Sequence, residues 1–334
     1  MHDNLIACLE EIMQQEIRFA SFNVCNLAQP GMQYYEKSEP YTKDEYDAKT
    51  RWIAHQLDLM NADVIGLQEI FSQAALKDVL AKTRHYQNAH HSGFDPHPSA
   101  ERLTPSVALI SRLPVVGEAL EHIALPPELH NPMPGGGKIF THFTRPVLHV
   151  RLILPTNLEM HAFVVHLKSK RPDYLPGEHE DNYRQYGIAT LRSLVRRGTE
   201  ALGLRHLLAE VMDGNRTPVV VMGDFNDTIN ATTTRIVLGA GRHGRQGFDE
   251  RLFDSSTIAR RQSLQRNVNY TDIHEGHYET IDHILVSEEF NPDSRFAIGS
   301  VEEVNYFNDH ITLDMPEASD HGQVMARIRL LVGG

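Results

Sequence analysis

The sequence predicts an α/β or α+β fold in a single domain, on three observations. Short apolar runs rich in β-branched residues alternate with longer stretches of helical periodicity along the chain. The 334 residues are 41% hydrophobic, enough to fill a large buried core. No Pro/Gly/Ser-rich linker, internal repeat or low-complexity tract divides the chain. No apolar run approaches the roughly 18 residues of a membrane-spanning helix.

Taken in order, Met1–Glu16 carries Leu5, Leu9, Ile12 and Met13 at helical spacing. This predicts a helical extension over residues 1–16, ahead of a domain over residues 17–332. Strands are expected at Ile17–Asn23, Ala62–Leu67, Ser106–Ile110, Val147–Leu154, Glu159–His166, Pro218–Met222, Thr280–Val286 and Val324–Leu331. Val147–His166 reads as a hairpin that turns at Pro155-Thr156-Asn157. Tyr46–Met60 sets Trp52, Ile53, Leu57 and Met60 on one helical face, and Asn182–Asp213 is a second, long helix. Four stretches lack clean periodicity: Ala28–Asp44, His85–Pro105, Leu125–Thr144 and Gly239–Tyr270. Loops of that length in a compact domain commonly carry function.

With 32 basic and 44 acidic residues the formal net charge is −12, so the overall field does not attract polyanions. Clustered acids can instead hold divalent cations. Two cysteines, Cys8 and Cys25, make no disulfide framework and fit a reducing compartment. The N-terminus lacks the features of a signal peptide, which gives a cytoplasmic reading.

Polar residues suited to chemistry recur where apolar strands end. In order they are Phe22-Asn23, Leu67-Gln68-Glu69, Val164-Val165-His166, Gly223-Asp224-Phe225-Asn226, Ile281-Asp282-His283 and Ser319-Asp320-His321. A rigid sheet aims such side chains, and the loops beyond leave room for a ligand. Each has a bland reading when taken alone. Asn23 reads as a turn former, Glu69 as a helix N-terminal acid, His166 as a core histidine and Asp320-His321 as a polar turn. The six together, in this order and placement, point to a site.

This ordered set resembles that of the endonuclease/exonuclease/phosphatase superfamily, which includes deoxyribonuclease I, exonuclease III, inositol polyphosphate 5-phosphatases and deadenylases. The resemblance runs from about Ile17 to Leu331. It implies a four-layer αββα sandwich, with two mixed sheets packed face to face and helices outside. It also implies roles residue by residue. Glu69 matches the principal metal-binding carboxylate, Asn23 the asparagine supporting metal or phosphate, and Asp320 a second acid near the metal. Asp224 and Asn226 match the pair that positions or activates the attacking water. His321 matches the histidine near the scissile phosphate, and Asp282 the carboxylate that orients it. His166 matches the extra histidine of the deoxyribonuclease I and phosphatase branches. Arg145 and Lys168 are the candidate phosphate contacts, and Lys170 and Arg171 follow nearby. Arg192, Arg196 and Arg197 read as structural or solvent-facing residues of the long helix.

One position departs from the pattern. Cys25 stands where repair-type relatives carry Asp or Asn, and a soft thiol is a poor partner for Mg²⁺. Asn26 or water would then substitute, or fewer side chains would hold the ion.

The expected function is an Mg²⁺- or Mn²⁺-dependent phosphoesterase, read first as a nuclease-type phosphodiesterase. The expected partner is a phosphate ester, either a nucleic acid or nucleotide or a small phosphorylated molecule. A phosphatase of metabolites, inositol phosphates or lipids is the rival within the superfamily. The superfamily also includes neutral sphingomyelinases, which would benefit from an exposed apolar loop, and the polar loop Gln33-Tyr34-Tyr35-Glu36-Lys37 disfavours that branch. From other classes come a binding protein with a decayed site and a zinc hydrolase. The first is opposed by the intact set of acids and histidines. The second is prompted by 20 histidines, but no His-x-x-x-His pair with an adjacent acid falls on a clear helix.

Overall fold

A computed structural model describes residues 15–35, 38–96, 104–137, 139–239, 250–261, 268–313 and 315–331. The expected extension over residues 1–16 lies almost wholly outside the described residues. The described chain forms a four-layer αββα sandwich of two mixed six-stranded sheets.

The first sheet contains β1 (Glu16–Leu27), β2 (Val64–Ile70), β3 (His90–Gly93), β4 (Ser106–Ser111), β13 (Gly299–Phe307) and β14 (Gln323–Leu330). Their order is β13-β14-β1-β2-β4-β3, with only β1 and β2 parallel. The second sheet contains β5 (Val115–Ala124), β6 (His142–Ile153), β7 (Glu159–His166), β8 (Val219–Asp224), β9 (Phe253–Asp254) and β12 (Asp282–Val286). Its order is β5-β6-β7-β8-β12-β9, and again a single pair, β7 and β8, is parallel. A short hairpin of β10 (Asp272–His274) and β11 (His277–Glu279) stands apart.

Successive side chains of a strand face opposite sides, and β1, β2, β7, β8 and β12 are buried on both. Ile17 and Phe19 of β1 pack into the layer between the sheets, with Met160, Ala162 and Val164 of β7, Val220 and Met222 of β8, and Ile284 and Val286 of β12. The alternate residues of β1 and β2, such as Ala20, Phe22, Ile65 and Leu67, face outward under α1 (Lys43–Met60) and α2 (Gln73–Lys82). Those of β7 and β8, such as Phe163, Val165, Val219 and Val221, lie under α3 (Tyr183–Met212) and α4 (Thr232–Leu238). A four-residue helix, α5 (Ser255–Ile258), follows β9.

Local chemistry sets the helix ends. Thr42 and Glu45 form a reciprocal capping box at the start of α1, and Asn61 closes its end in the left-handed conformation. Asn182 caps α3 by accepting from the N–H groups of Arg184 and Gln185. The histidines also contribute to packing. Three of them, His122, His149 and His161, pack ring against ring on β5, β6 and β7, where His149 and His161 share a 2.7 Å hydrogen bond. Among the described residues no helix is long and apolar enough to cross a membrane.

The eight expected strands are present, several of them longer than the sequence predicted. β3 lies inside the stretch His85–Pro105, which reads as a loop in the sequence. β5, β13 and α2 carry weaker periodicity and are additions from the structure.

Gly66 of β2 faces the second sheet, where a side chain would be crowded. A Cβ there would lie 3.2 Å from Met222 Cβ and from both Val164 methyls. Gly66→Ala is therefore expected to destabilise the domain by roughly 1–3 kcal/mol through overpacking. Urea unfolding checks this, and an unchanged midpoint would show that the sheets yield freely.

Candidate active site

The same alternation that fills the inter-sheet layer also builds the site. Continuing inward-facing positions along each strand leads from Phe19 to Asn23, from Val164 to His166, from Met222 to Asp224, and from Ile284 back to Asp282. The register brings these ends to one edge of the sandwich. His166 lies beside Asp224 across the parallel pair, and Asp282 opposite Asp224 across the antiparallel pair. All four residues are buried.

Asp224 is the junction. Its Oδ2 accepts from Asn23 Nδ2 at 3.2 Å, lies 3.3 Å from His166 Nε2, and is 3.9 Å from His321 Nε2. Its Oδ1 accepts the Asn226 N–H at 2.7 Å. His321 Nδ1 lies 2.9 Å from Asp282 Oδ2. Ser319 fixes the entry to His321: its hydroxyl donates to the Asn23 carbonyl at 2.6 Å and accepts the His321 N–H at 3.0 Å. Thr271 Oγ1 accepts the Asp282 N–H at 3.1 Å. The sequence carried no signal for Thr271, because its partner becomes a neighbour only in the folded chain.

Glu69 reaches the site by a different route. Strand parity places it with Ile65 and Leu67, facing the helices. A register shift in β2 and a φ of 65° at Glu69 re-aim it. Its Oε1 accepts from Asn23 Nδ2 at 3.4 Å, and its Oε2 accepts the Asn26 N–H at 3.0 Å. Cys25, Asn26 and Asn226 also have left-handed backbones, with φ of 54°, 62° and 53°. Gly223, ahead of Asp224, is required for close approach, since a Cβ would lie 2.0 Å from the Val165 carbonyl oxygen.

Burial and neighbouring charges divide the protonation states. Burial pushes the Asp224 carboxyl up to about 7, with Asp282 adding to the rise and His321 opposing it. Burial disfavours charge on His321, but Asp282, by proximity and hydrogen bond, and then Asp224 push it well above 6.5. His166 moves well below 6.5 through burial and then the charges of Arg145, His321 and Lys168. Its contact with Asp224 is thus a hydrogen bond between a neutral imidazole and the acid rather than an ion pair, and its Nδ1 is buried without a partner. The site holds one cationic and one neutral histidine around an acid poised near neutrality.

Beside Glu69 lies Cys25, whose thiol burial and then Asp320 and Glu69 push up to about 12. It stays protonated and is no ligand for a hard cation. Lys49 of α1, which the sequence did not single out, is buried near Cys25, Glu69 and Asp320, and burial lowers its pKa. Asp320 is exposed.

The residues present fit a divalent cation of the Mg²⁺ type. Asn26 has a buried Oδ1 without a partner, on the residue whose N–H binds Glu69, and Asp282 Oδ1 is likewise unpartnered. Among the described residues, ligand atoms of Asp224, Asp282 and His321 all lie within 4.8 Å of one another. A cationic His321 has no lone pair to give a metal, so the trio is a hydrogen-bonded charge cluster. This acid-rich grouping differs from the Glu69 and Asp320 set read from the sequence.

The two candidate phosphate contacts part company. Arg145 points into the site region, with Nη1 donating to the Leu167 carbonyl at 3.3 Å and Nε buried without a partner. Lys168 Nζ instead donates to the carbonyls of Ser169 at 3.1 Å and Arg171 at 3.0 Å. Lys170 pairs with Glu279 at 2.7 Å. Arg192, Arg196 and Arg197 are structural, paired with Glu178, Asp173 and Asp227. The Asn226 side chain donates to the Leu167 carbonyl at 3.0 Å, which makes it a brace for Asp224's loop.

A mixed αββα sandwich with buried acids and histidines at one edge defines a phosphoesterase-type scaffold. The chain belongs to the endonuclease/exonuclease/phosphatase family, whose model matches residues 20–321 and whose members are phosphoesterases. No curated protein matches the chain by sequence. Similar solved structures include a mannosyl-6-phosphatase from Bacteroides thetaiotaomicron VPI-5482, with 18% identity over 93% of this chain and 99% of that one and a TM-score of 0.55. A humanised D. rerio TDP2 shares 13% identity over 94% and 99% of the two chains, with a TM-score of 0.57. The human Nocturnin catalytic domain, solved with bound sulfate, shares 16% identity over 95% of each chain, with a TM-score of 0.53. At these identities the likeness shows the fold.

A histidine raised in the fold contributes stability that is fully present below its unfolded value of about 6.5 and is lost as pH rises through the raised folded value. Asp282→Asn is therefore expected to lower Tm more at pH 6 than at pH 9. Equal deficits at the two pH values would show that Asp282 contributes packing and not charge.

Proposed function

We propose that this protein is a divalent-metal-dependent hydrolase of phosphate esters, acting first on phosphodiesters of the nuclease type. The observation that carries the reading is the Asp224–His321–Asp282 arrangement, an acid near neutrality set against a charged imidazole. Hydrolysis of a phosphate ester needs an in-line water, neutralised non-bridging oxygens and help for the leaving oxygen. Asp224 takes the water's proton, and His321, kept cationic by Asp282, binds the phosphoryl oxygens. Arg145 adds positive charge, and neutral His166 supplies a second proton-transfer or phosphate-binding group. Glu69 and Asp320, with Asn23 in support, would hold Mg²⁺ or Mn²⁺, which when bound supplies charge neutralisation to the phosphoryl group.

A second reading, a phosphatase of small phosphorylated molecules, draws support from charge. The net charge is −12, while Lys168 and Lys170 are engaged within the fold instead of forming a basic track for a nucleic-acid backbone. The contrast between bis-p-nitrophenyl phosphate and p-nitrophenyl phosphate separates the two, with Mg²⁺, Mn²⁺ and EDTA arms. Metal-dependent turnover favouring the diester is expected. Preference for the monoester would transfer the assignment to the phosphatase reading, and turnover surviving EDTA would remove the metal.

Asp224→Ala and His321→Ala are each expected to lower kcat at least about a hundredfold, the range of a lost acid or base. In the wild type kcat/KM should climb as pH rises through about 7, where Asp224 ionises, and fall again where His321 loses its proton. A flat pH profile, or near-wild-type turnover in either variant, would overturn the assignment.

A further inference from the structure

Strands β6 and β7 pair regularly up to Leu148 and Val164, and then the ladder stops. Continuing that register sets Pro146 opposite His166, Arg145 opposite Leu167, and Thr144 opposite Lys168. Proline has no N–H to give the ladder, so the two strands part at the point where His166 and Arg145 enter the site. The opened strand ends leave backbone N–H groups that need acceptors in a buried place.

One side chain supplies them. Glu200 of α3 is 1% exposed, and its carboxylate spans the gap. Oε1 accepts the Thr144 N–H at 2.8 Å and the Thr144 hydroxyl, while Oε2 accepts the Lys168 N–H at 2.7 Å. The two oxygens thus stand between residues that would otherwise be ladder partners. One turn earlier on α3, Arg197 donates to the carbonyls of Lys168 at 3.3 Å and Ser169 at 3.2 Å, and its Nε donates to Asp227 Oδ2 at 3.0 Å. Ser193, a further turn back, donates to the Ser169 carbonyl at 2.7 Å. Helix α3 therefore grips the exits of β6 and β7 and the loop that follows Asp224.

We propose that Glu200 is a positioning residue that holds β6 and β7 apart at their exits and so sets Arg145 and His166 against Asp224. Arg197 is its partner, tying the same exits to the Asp224 loop. The kinetic consequence rests on the phosphoesterase reading, whereas the geometric one does not. Replacement by glutamine keeps the shape but turns one oxygen into an N–H donor, so only one strand exit can stay anchored.

The test is the crystal structure of Glu200→Gln together with its kinetics on bis-p-nitrophenyl phosphate. One strand exit should shift, opening the 3.3 Å contact between Arg145 and the Leu167 carbonyl while α3 stays in place. The kcat should fall about ten- to a hundredfold, the effect of a misplacement on the order of 1 Å, with KM changed far less. Leu208→Ala, on the buried face of the same helix, serves as the control: it lowers Tm without a comparable loss of kcat. Unmoved strand exits, or an equal kcat loss in Leu208→Ala, would overturn the proposal. If Glu200→Gln fails to fold, Thr144→Val removes only the hydroxyl contact, and the same shift and a smaller kcat loss are expected. An inactive wild type would refute the phosphoesterase reading, and the variant's structure would still decide the positioning role.

Discussion

Two carboxylates, Asp224 and Asp282, face one another across adjacent antiparallel strands with both side chains buried. Keeping two acids in so little water is unfavourable unless their charge is offset or one of them is protonated. The surroundings supply both remedies. His321 carries a positive charge against Asp282, while Asp224 is raised toward neutrality and surrounded by the Asn23 amide, the His166 ring and the Asn226 N–H. The same arrangement that makes the pair tolerable gives one group able to accept a proton and another able to hold an anion. Perturbed ionisation of this kind is what acid–base chemistry requires.

The backbone around this pair takes unusual conformations at several site residues. Glu69, Cys25, Asn26 and Asn226 all adopt left-handed φ values that side chains other than glycine rarely take. For Glu69 the unusual φ takes a residue whose parity faces the helices and aims it at the site. For Asn226 it folds the N–H back onto Asp224. Such conformations are held by local hydrogen bonds: Asn26 N–H to Glu69, Cys25 N–H to Asn23 Oδ1, and the Asn226 side chain to the Leu167 carbonyl.

Much of the fold was legible from short apolar runs, since strands covered on both faces read as near-continuous apolar segments. Val147–His166 and Pro218–Met222 stand out for that reason. β5 did not, because it is an edge strand with half its residues exposed, including Leu120 and Ile123. β13 was obscured by Glu302 and Glu303 at a bulge. Within the site, the acids and histidines at strand ends were visible in order. Lys49, Thr271 and Glu200 were not, because each acts on residues distant in the chain, and nothing local distinguishes a buried Lys or Glu on a helix from a solvated one. Lys168 illustrates the reverse case: a basic residue at a strand exit looked ready for phosphate, yet its ammonium caps carbonyls of its own loop.

The sequence by itself determined which residues of a strand share a face, because alternation along a strand is a local property of the backbone. It also marked Asn23, His166, Asp224 and Asp282 among the polar residues at the ends of apolar strands. Only the tertiary structure decided that these strands end at the same edge, since that depends on which strands pair and in what register. It also decided the protonation states, because burial and the distance between Asp282 and His321 arise only when two sheets close on one another.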